Sequence, residues 1–370
     1  MATTNYMDLA LDLARARLGQ VSPLPAVGAV VARDGRVAGQ AATAAAPGLH
    51  AERRALDRAG DAARGADIYV TLEPCDHQGA TPPCTEAILQ AGIARVFVAV
   101  RDPNPVAWGG AQTLRAAGIA VDVGMGGEVA NAMYQGFFKW AKQKRPYVIA
   151  KWAMSKDGKI SGVGGERRQI SGEESGRRVH EMRRRADAIL VGGATAINDD
   201  PLLTCRLDGY AGSQPLRVVL DRRLRLPATA RMLGKNVPGA TLVVTGPGAA
   251  AGRMAELEAA GAEVLVLDEA PDNQLPGLLD ELGRRGALEL LVEGGAGVLG
   301  AFLDAGLVDR VEAFVAPFEM GAGVAAPVTG TAAADFASIG PVGAVSLRDS
   351  GEDVQITAIA SVYGPGAESA

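Results

Sequence analysis

The sequence predicts an α/β protein of two domains, and three observations carry that expectation. Apolar, β-rich runs alternate with Ala/Leu/Arg stretches of helical spacing, the punctuation of βαβ units and of a mostly parallel sheet covered by helices. The alternation comes in two series, with a charged segment, "GFFKWAKQKRP" (136–146), between them. A length of 370 residues, 48% of them hydrophobic, is also more than one ordinary core accommodates.

In the first series, residues 26–32, 67–72, 94–100 and 120–124 read as strands, with helical patterns at 50–60, 84–92 and 109–118. The second series of strands covers 146–154, 187–192, 216–221, 241–246, 262–267, 288–295 and 310–318. Pro146 restarts an extended chain after the charged stretch, which places the domains at 1–145 and 146–366. The last residues, "GPGAESA", read as a frayed tail.

Composition excludes several function classes. The first 20 residues lack the apolar core of an export signal, and Asp8 and Asp12 interrupt them at helical spacing. No run of 18 apolar residues occurs. The expected location is therefore the cytoplasm, with no membrane partner. A net charge of −5 argues against nucleic acid as a partner. The basic stretch 177–187 reads as a solvated helix face, with Glu173, Glu174 and Glu181 within reach of its arginines.

Two of the three cysteines and one of the three histidines fall in "PCDHQGATPPC" (74–84). In a reducing compartment such a cluster points to metal or catalysis before a disulfide. Upstream, "LHAERRAL" (49–56) adds His50 and Glu52 at a helix start. His50, Cys75 and Cys84 are three ligands suited to tetrahedral zinc with one position open for water. Glu52, too close to His50 to be a convenient extra ligand, would shuttle protons, as in the zinc deaminases. A closed structural site is the alternative, with His77 as fourth ligand.

These motifs, with "RDPNP" (101–105) and "PAVGAVVARDG" (25–35), resemble the deaminase domain of the bifunctional riboflavin-biosynthesis deaminase/reductase family. The resemblance implies a cytidine-deaminase-like three-layer domain that removes an amine from a diaminopyrimidinone carrying a ribosylamino 5-phosphate. It implies zinc on His50, Cys75 and Cys84, Glu52 as the catalytic proton shuttle, and His77 against the substrate. The chain departs from the family pattern at Leu24 (an asparagine there), Thr43 (a histidine), Leu49 (a proline) and Ala80 (a basic residue). Three outcomes follow: normal deamination with rearranged contacts, deamination of another pyrimidine, or an inactive domain beside a working reductase.

The second half carries two strand–glycine–helix junctions, "DAILVGGAT" (187–195) and "LELLVEGGAGVLG" (288–300). Glycines there let backbone approach a phosphate at a helix N-terminus, although a tight packing turn would use them equally well. With "KWAMSKDGKI" (151–160), "VHEMRRRADAILVGGAT" (179–195), "NDDPLLTCR" (198–206) and "VEGG" (292–295), this half resembles the same family's reductase domain. The resemblance implies a dihydrofolate-reductase-like fold, NADPH as hydride donor, and a homo-oligomer. It places cofactor contacts on Ala153, Ser155, Gly192, Thr195, Asp199, Asp221, Gly294 and Gly295. Substrate contacts fall on Lys151, Arg183, Asp200, Leu203, Arg206 and Glu293, the two arginines clamping the phosphate. Asp157 and Thr204 would line or shape the same region. Arg222 and Arg223 are candidates for a 2′-phosphate contact, while His180 reads as a helix-surface residue and Cys205 as packing.

Overall fold

The computed structural model describes residues 5–79, 81–161, 168–267, 274–321, 327–330 and 344–364. The chain forms two compact units, 1–144 with 363–370 and 145–362. The second unit was expected to run to 366. Tyr363 instead returns to the first, where Gln135 donates to its carbonyl at 2.7 Å and accepts its N–H at 2.7 Å. No described helix is long and apolar enough to cross a membrane.

The first unit runs α1 (Tyr6–Arg15), β1 (Gly28–Arg33), β2 (Arg36–Ala42), α2 (Ala51–Ala59), β3 (Asp67–Val70), α3 (Cys84–Ala91), β4 (Arg95–Val98), α4 (Gly110–Ala116), β5 (Ala120–Val123), α5 (Gly127–Met133) and α6 (Gln135–Gln143). Asn5 caps α1 by accepting from the Met7 and Asp8 N–H groups, and Met7, Ala10, Leu11 and Ala14 bury one helical face. The sheet order is β2-β1-β3-β4-β5. It is less parallel than expected, because β1 runs antiparallel to both β2 and β3. The physical reason is local: Asp34 and Gly35, at φ 52° and 74°, make a two-residue hairpin turn of the kind Asp-Gly favours.

The second unit runs β6 (Tyr147–Ser155), α7 (Glu173–Arg185), β7 (Ala188–Gly192), α8 (Gly193–Asp199), β8 (Leu216–Leu220), β9 (Thr241–Thr245), α9 (Ala251–Ala259), β10 (Glu263–Val266), α10 (Gln274–Arg284), β11 (Glu289–Gly294), α11 (Ala296–Asp304), β12 (Arg310–Ala316), β13 (Ala344–Ser350) and β14 (Asp353–Ile359). Its sheet order is β10-β9-β8-β7-β11-β6-β12-β14-β13. Strands β7 and β9 are buried along their whole length, as apolar runs in parallel sheets are. Val148, Leu190, Val218, Leu242 and Leu290 pack with Leu278, Leu282 and Phe302 of α10 and α11 in one core. Each such side chain contributes about 1.5–3 kcal/mol by burial. The late strand β11 inserts between β6 and β7, parallel to both, so three carboxyl ends open side by side. Ligands bind at such ends in open α/β sheets.

Candidate functional site

In the first unit, His50 is the residue before α2, Glu52 lies in its first turn, and Cys84 begins α3. Cys75 follows β3. The three ligand atoms lie within 4.8 Å of one another, with His50 Nδ1 at 3.5 Å from Cys75 Sγ and 3.3 Å from Cys84 Sγ. The Cys84 N–H points at Cys75 Sγ at 3.4 Å. Hydrogen bonding from Cys84, and then from His50, outweighs burial and holds the Cys75 thiol down at about 4, while the same contact pushes Cys84 up. Two sulfurs and one imidazole nitrogen at this spacing are the donor set of a zinc ion, which would let both sulfurs be thiolates. The trio is the one potential metal-holding cluster among the described residues. His77, the alternative fourth ligand, is outside it.

Glu52 is 3% exposed, and burial pushes its carboxyl up to about 7 although a charge on His50 pulls the other way. It shares with His50 and Cys75 a cavity of about 480 Å³, lined also by Leu24, Thr43, His77, Asn104 and Trp140. His77 Nδ1 is buried without a hydrogen-bond partner. Thr43 is buried and its hydroxyl is spent on backbone, accepting the Val27 N–H and donating to the Pro25 carbonyl, both at 3.0 Å. Leu49 is half-exposed, and Ala80 lies outside the described residues.

Two carboxylates that sequence reasoning passed over fix the Cys75 segment. Glu73 accepts the Asp102 and Ala111 N–H groups at 3.1 and 3.0 Å, and Asp76 accepts the Thr85 and Thr113 hydroxyls at 2.7 and 2.6 Å. Their position flanking Cys75 was the available signal.

In the second unit, Lys151, Ala153 and Ser155 lie on β6, Gly192 ends β7, and Glu293 and Gly294 end β11, so the three neighbouring strand ends bring these residues together. Thr195 and Asp199 follow on α8, and Gly295 caps α11. Glu293 receives the Arg183 guanidinium in a fork, Nε to Oε1 at 2.5 Å and Nη2 to Oε2 at 2.8 Å, with Lys151 Nζ at 3.7 Å. Burial alone would raise the Glu293 carboxyl; the charges of Arg183 and Lys151 win and hold it down at about 2. Burial lowers the Lys151 ammonium. Side chains at Gly192 and Gly295 would strike their neighbours: a Cβ there would lie 2.9 Å from Val298 Cγ2 and 3.0 Å from Thr195 Oγ1. Gly295 also has φ 82°, open to glycine at no cost. The bare backbone at the start of α11 fits a phosphate-bearing cofactor.

Several expected contacts are otherwise occupied. Arg183 spends its fork on Glu293 and gives Nη1 to the Thr204 carbonyl at 3.3 Å, so the phosphate clamp is turned inward. Asp221 is buried, accepts the Leu226 N–H at 2.7 Å and packs against Gly193. Asp200 accepts the Arg231 N–H at 2.8 Å. Asp157 takes the Ser155 hydroxyl at 2.5 Å and the Met320 and Gly321 N–H groups at 3.1 and 2.9 Å. Each carboxylate thus accepts backbone N–H groups of a neighbouring turn. Leu203 is buried at φ 50°. Arg222 lines a cavity of about 270 Å³ with Gln274 and Gly297, whereas Arg223 is exposed. The acidic partners expected on α7 do pair with its arginines, Glu174 with Arg177 and Arg178, and Glu181 with Arg177.

Residues 2–100 match the family model of the cytidine and deoxycytidylate deaminase zinc-binding region, and residues 146–348 that of the RibD C-terminal domain. The chain is 42% identical to the riboflavin biosynthesis protein RibD of Aquifex aeolicus (strain VF5), over 94% of this chain and 92% of that one. It is 38% identical to the RibD of Bacillus amyloliquefaciens, over 96% and 95%. A crystal structure of a diaminohydroxyphosphoribosylaminopyrimidine deaminase/5-amino-6-(5-phosphoribosylamino)uracil reductase from Thermotoga maritima matches with a TM-score of 0.83 at 34% identity, covering 96% of this chain and 98% of that one.

Proposed function

Because the chain belongs to the RibD family of riboflavin biosynthesis proteins, we propose that it performs two consecutive reactions of that synthesis. A cytidine-deaminase-like unit hydrolyses the amine from a diaminopyrimidinone ribosylamino 5-phosphate, and a dihydrofolate-reductase-like unit reduces the ribosyl chain to ribityl with NADPH. The observation that carries the reading is the His50–Cys75–Cys84 trio, two of whose members, His50 and Cys75, line one cavity with a buried Glu52.

Zinc held by His50, Cys75 and Cys84 would supply an activated water, its pKa lowered toward about 7. Glu52 would be the proton shuttle, its carboxylate accepting a proton and its carboxyl returning one to the departing amine nitrogen. A carboxyl poised near neutrality does both, since proton transfer is most efficient when its pKa lies near the working pH. The pocket reads the substrate without the family's usual asparagine and histidine. His77, with its unpartnered Nδ1, and Asn104 are the polar groups we assign to the substrate there, against the apolar wall of Leu24 and Trp140.

In the second unit NADPH, when bound, would supply the hydride. Gly192, Thr195, Gly294 and Gly295 would hold it, with Ala153, Ser155 and Asp199 alongside and Arg222 toward the 2′-phosphate. Asp221 contributes only by shaping the turn beside Gly193. Arg183 locks Glu293 as an anion facing the sugar. Lys151, whose ammonium burial makes readier to give up its proton, protonates the ring oxygen as the ring opens. Arg206, free of carboxylate partners among the described residues, takes the substrate phosphate, while Asp200 and Leu203 shape its loop.

The test is a paired mass-spectrometric assay on zinc-loaded protein with NADPH, run on wild type and on Glu52→Gln. One tube receives the diamino ribosyl phosphate, the other the deaminated aminouracil. Wild type should yield the ribitylamino uracil phosphate from both. E52Q should yield it only from the second, with zinc content unchanged and deamination down by about 10²–10⁴-fold. Wild type failing on the first substrate would leave a reductase alone.

A further inference from the structure

The segment Thr204–Arg206 is held in an unusual way. Four consecutive main-chain groups are bound by side chains from elsewhere. The Thr204 carbonyl accepts Arg183 Nη1 at 3.3 Å. The Cys205 N–H donates to Gln214 Oε1 at 2.7 Å, and the Cys205 carbonyl accepts Gln214 Nε2 at 3.0 Å. The Arg206 N–H donates to His180 Nδ1 at 3.2 Å. The Cys205 thiol, in turn, points at the His180 carbonyl at 3.4 Å. His180, expected as a mere helix-surface residue, is thus tied into the loop.

Fixing a loop with long side chains costs rotamer entropy, and this loop also carries two non-glycine residues at positive φ, Asp200 (41°) and Leu203 (50°). Such backbone persists only where the surroundings over-determine it, and it concentrates at ligand clamps. What the arrangement delivers is the Arg206 side chain. Its guanidinium has the Thr204 hydroxyl at 3.3 Å and no ion pair among the described residues, and the like charges of Arg183 and Arg231 outweigh the pull of Glu293, itself already forked by Arg183. A cation so placed is presented to an anion from outside the chain.

We propose that His180 and Gln214 are positioning residues for Arg206, fixing the backbone of Thr204–Arg206 so that its guanidinium meets the substrate phosphate. The inference rests on the assignment of the phosphate to Arg206 made above. His180 must accept at Nδ1, which requires the neutral ring with its proton on Nε2. Burial, with the charges of Arg183 and Arg206, holds the ring down at about 4 and so keeps it neutral. Gln214 must both donate and accept, as its carboxamide does.

The experiment measures reduction by full-length protein with saturating NADPH, on the deaminated ribosylaminouracil 5-phosphate and on its dephosphorylated riboside. R206Q should raise KM for the phosphate ester by about 10- to 100-fold and leave the riboside unaffected. H180A and Q214A should each raise that KM by about three- to tenfold, with kcat and the riboside kinetics unchanged. H180N, whose carbonyl oxygen replaces the Nδ1 acceptor, should restore it. Should H180A not fold, Q214E carries the same test, because it keeps the acceptor for the Cys205 N–H and loses the donor to the carbonyl. If R206Q raises KM while H180A and Q214A leave it alone, or depress kcat equally on both substrates, the positioning role is wrong. If R206Q itself leaves KM unchanged, the phosphate assignment is wrong and the inference falls with it.

Discussion

Glu293 concentrates the electrostatics of the reductase unit in one side chain. Its side chain is 5% exposed, and two cations keep it ionised down to about pH 2, against about 4.3 for a glutamate in an unfolded chain. A carboxyl depressed in the folded state stabilises fully above the unfolded value and loses that stabilisation as pH falls through the folded one. The urea midpoint of the second unit should therefore hold down to about pH 4.5 and decline toward pH 2. Glu293→Gln should be less stable at pH 7, by about 3–5 kcal/mol for a broken buried pair, and should lack this part of the acid slope. A slope of equal steepness in E293Q would show that other carboxylates carry it. At this scale chemistry-bearing residues were legible where type and spacing admit one use: His50, Glu52, Cys75 and Cys84 belong together by their chemistry alone. Asp157, Asp200 and Asp221 were not. A carboxylate in a loop serves a ligand or a backbone N–H equally well, and only distances in space, such as 2.8 Å from Asp200 to the Arg231 N–H, decide between them.

Elements carry the metal site as much as its ligands do. The loop holding Cys75 is braced from the start of α4, where Gly110 passes so close that a Cβ would lie 1.9 Å from the Pro74 carbonyl oxygen. Backbone cannot yield as a flexible side chain can. Gly110→Ala should push Pro74 and Cys75 off the trio, at the roughly 1–3 kcal/mol typical of overpacking. Zinc per chain after dialysis, together with the thermal midpoint of the first unit, measures this; full zinc and an unchanged midpoint would mean that α4 moves instead. Strands such as β7 and β9 were readable as unbroken apolar runs because both faces are buried. Strand β13 escaped notice because it is exposed at six of seven positions, and β2 because Val37 is its one large apolar residue, among Arg, Gly, Gln and Ala, and is itself exposed. Strand direction escaped as well: nothing in the apolar runs distinguishes the antiparallel β1 from its parallel neighbours.

At the scale of the whole chain, two chemistries sit in two separately packed units. The split between Lys144 and Arg145 falls in the charged stretch before Pro146. The return of Tyr363 to the first unit was not legible in the sequence, since it rests on hydrogen bonds to Gln135 from 228 residues away. All three zinc ligands and Glu52 belong to the first unit, and Lys151, Arg183, Arg206 and Glu293 to the second. Metal bound only by folded protein stabilises by mass action, about 2.7 kcal/mol at a hundredfold excess over Kd. Stripping zinc with a chelator should therefore lower the first unit's unfolding transition and abolish deamination. NADPH, bound by the other unit, should still raise the second transition, and the stripped protein should still reduce the deaminated intermediate. Calorimetry and the reductase assay on one chelated sample test both halves of this expectation. Loss of reduction along with the zinc would mean that the second site depends on the first, and that two units in the fold work as one in the chemistry.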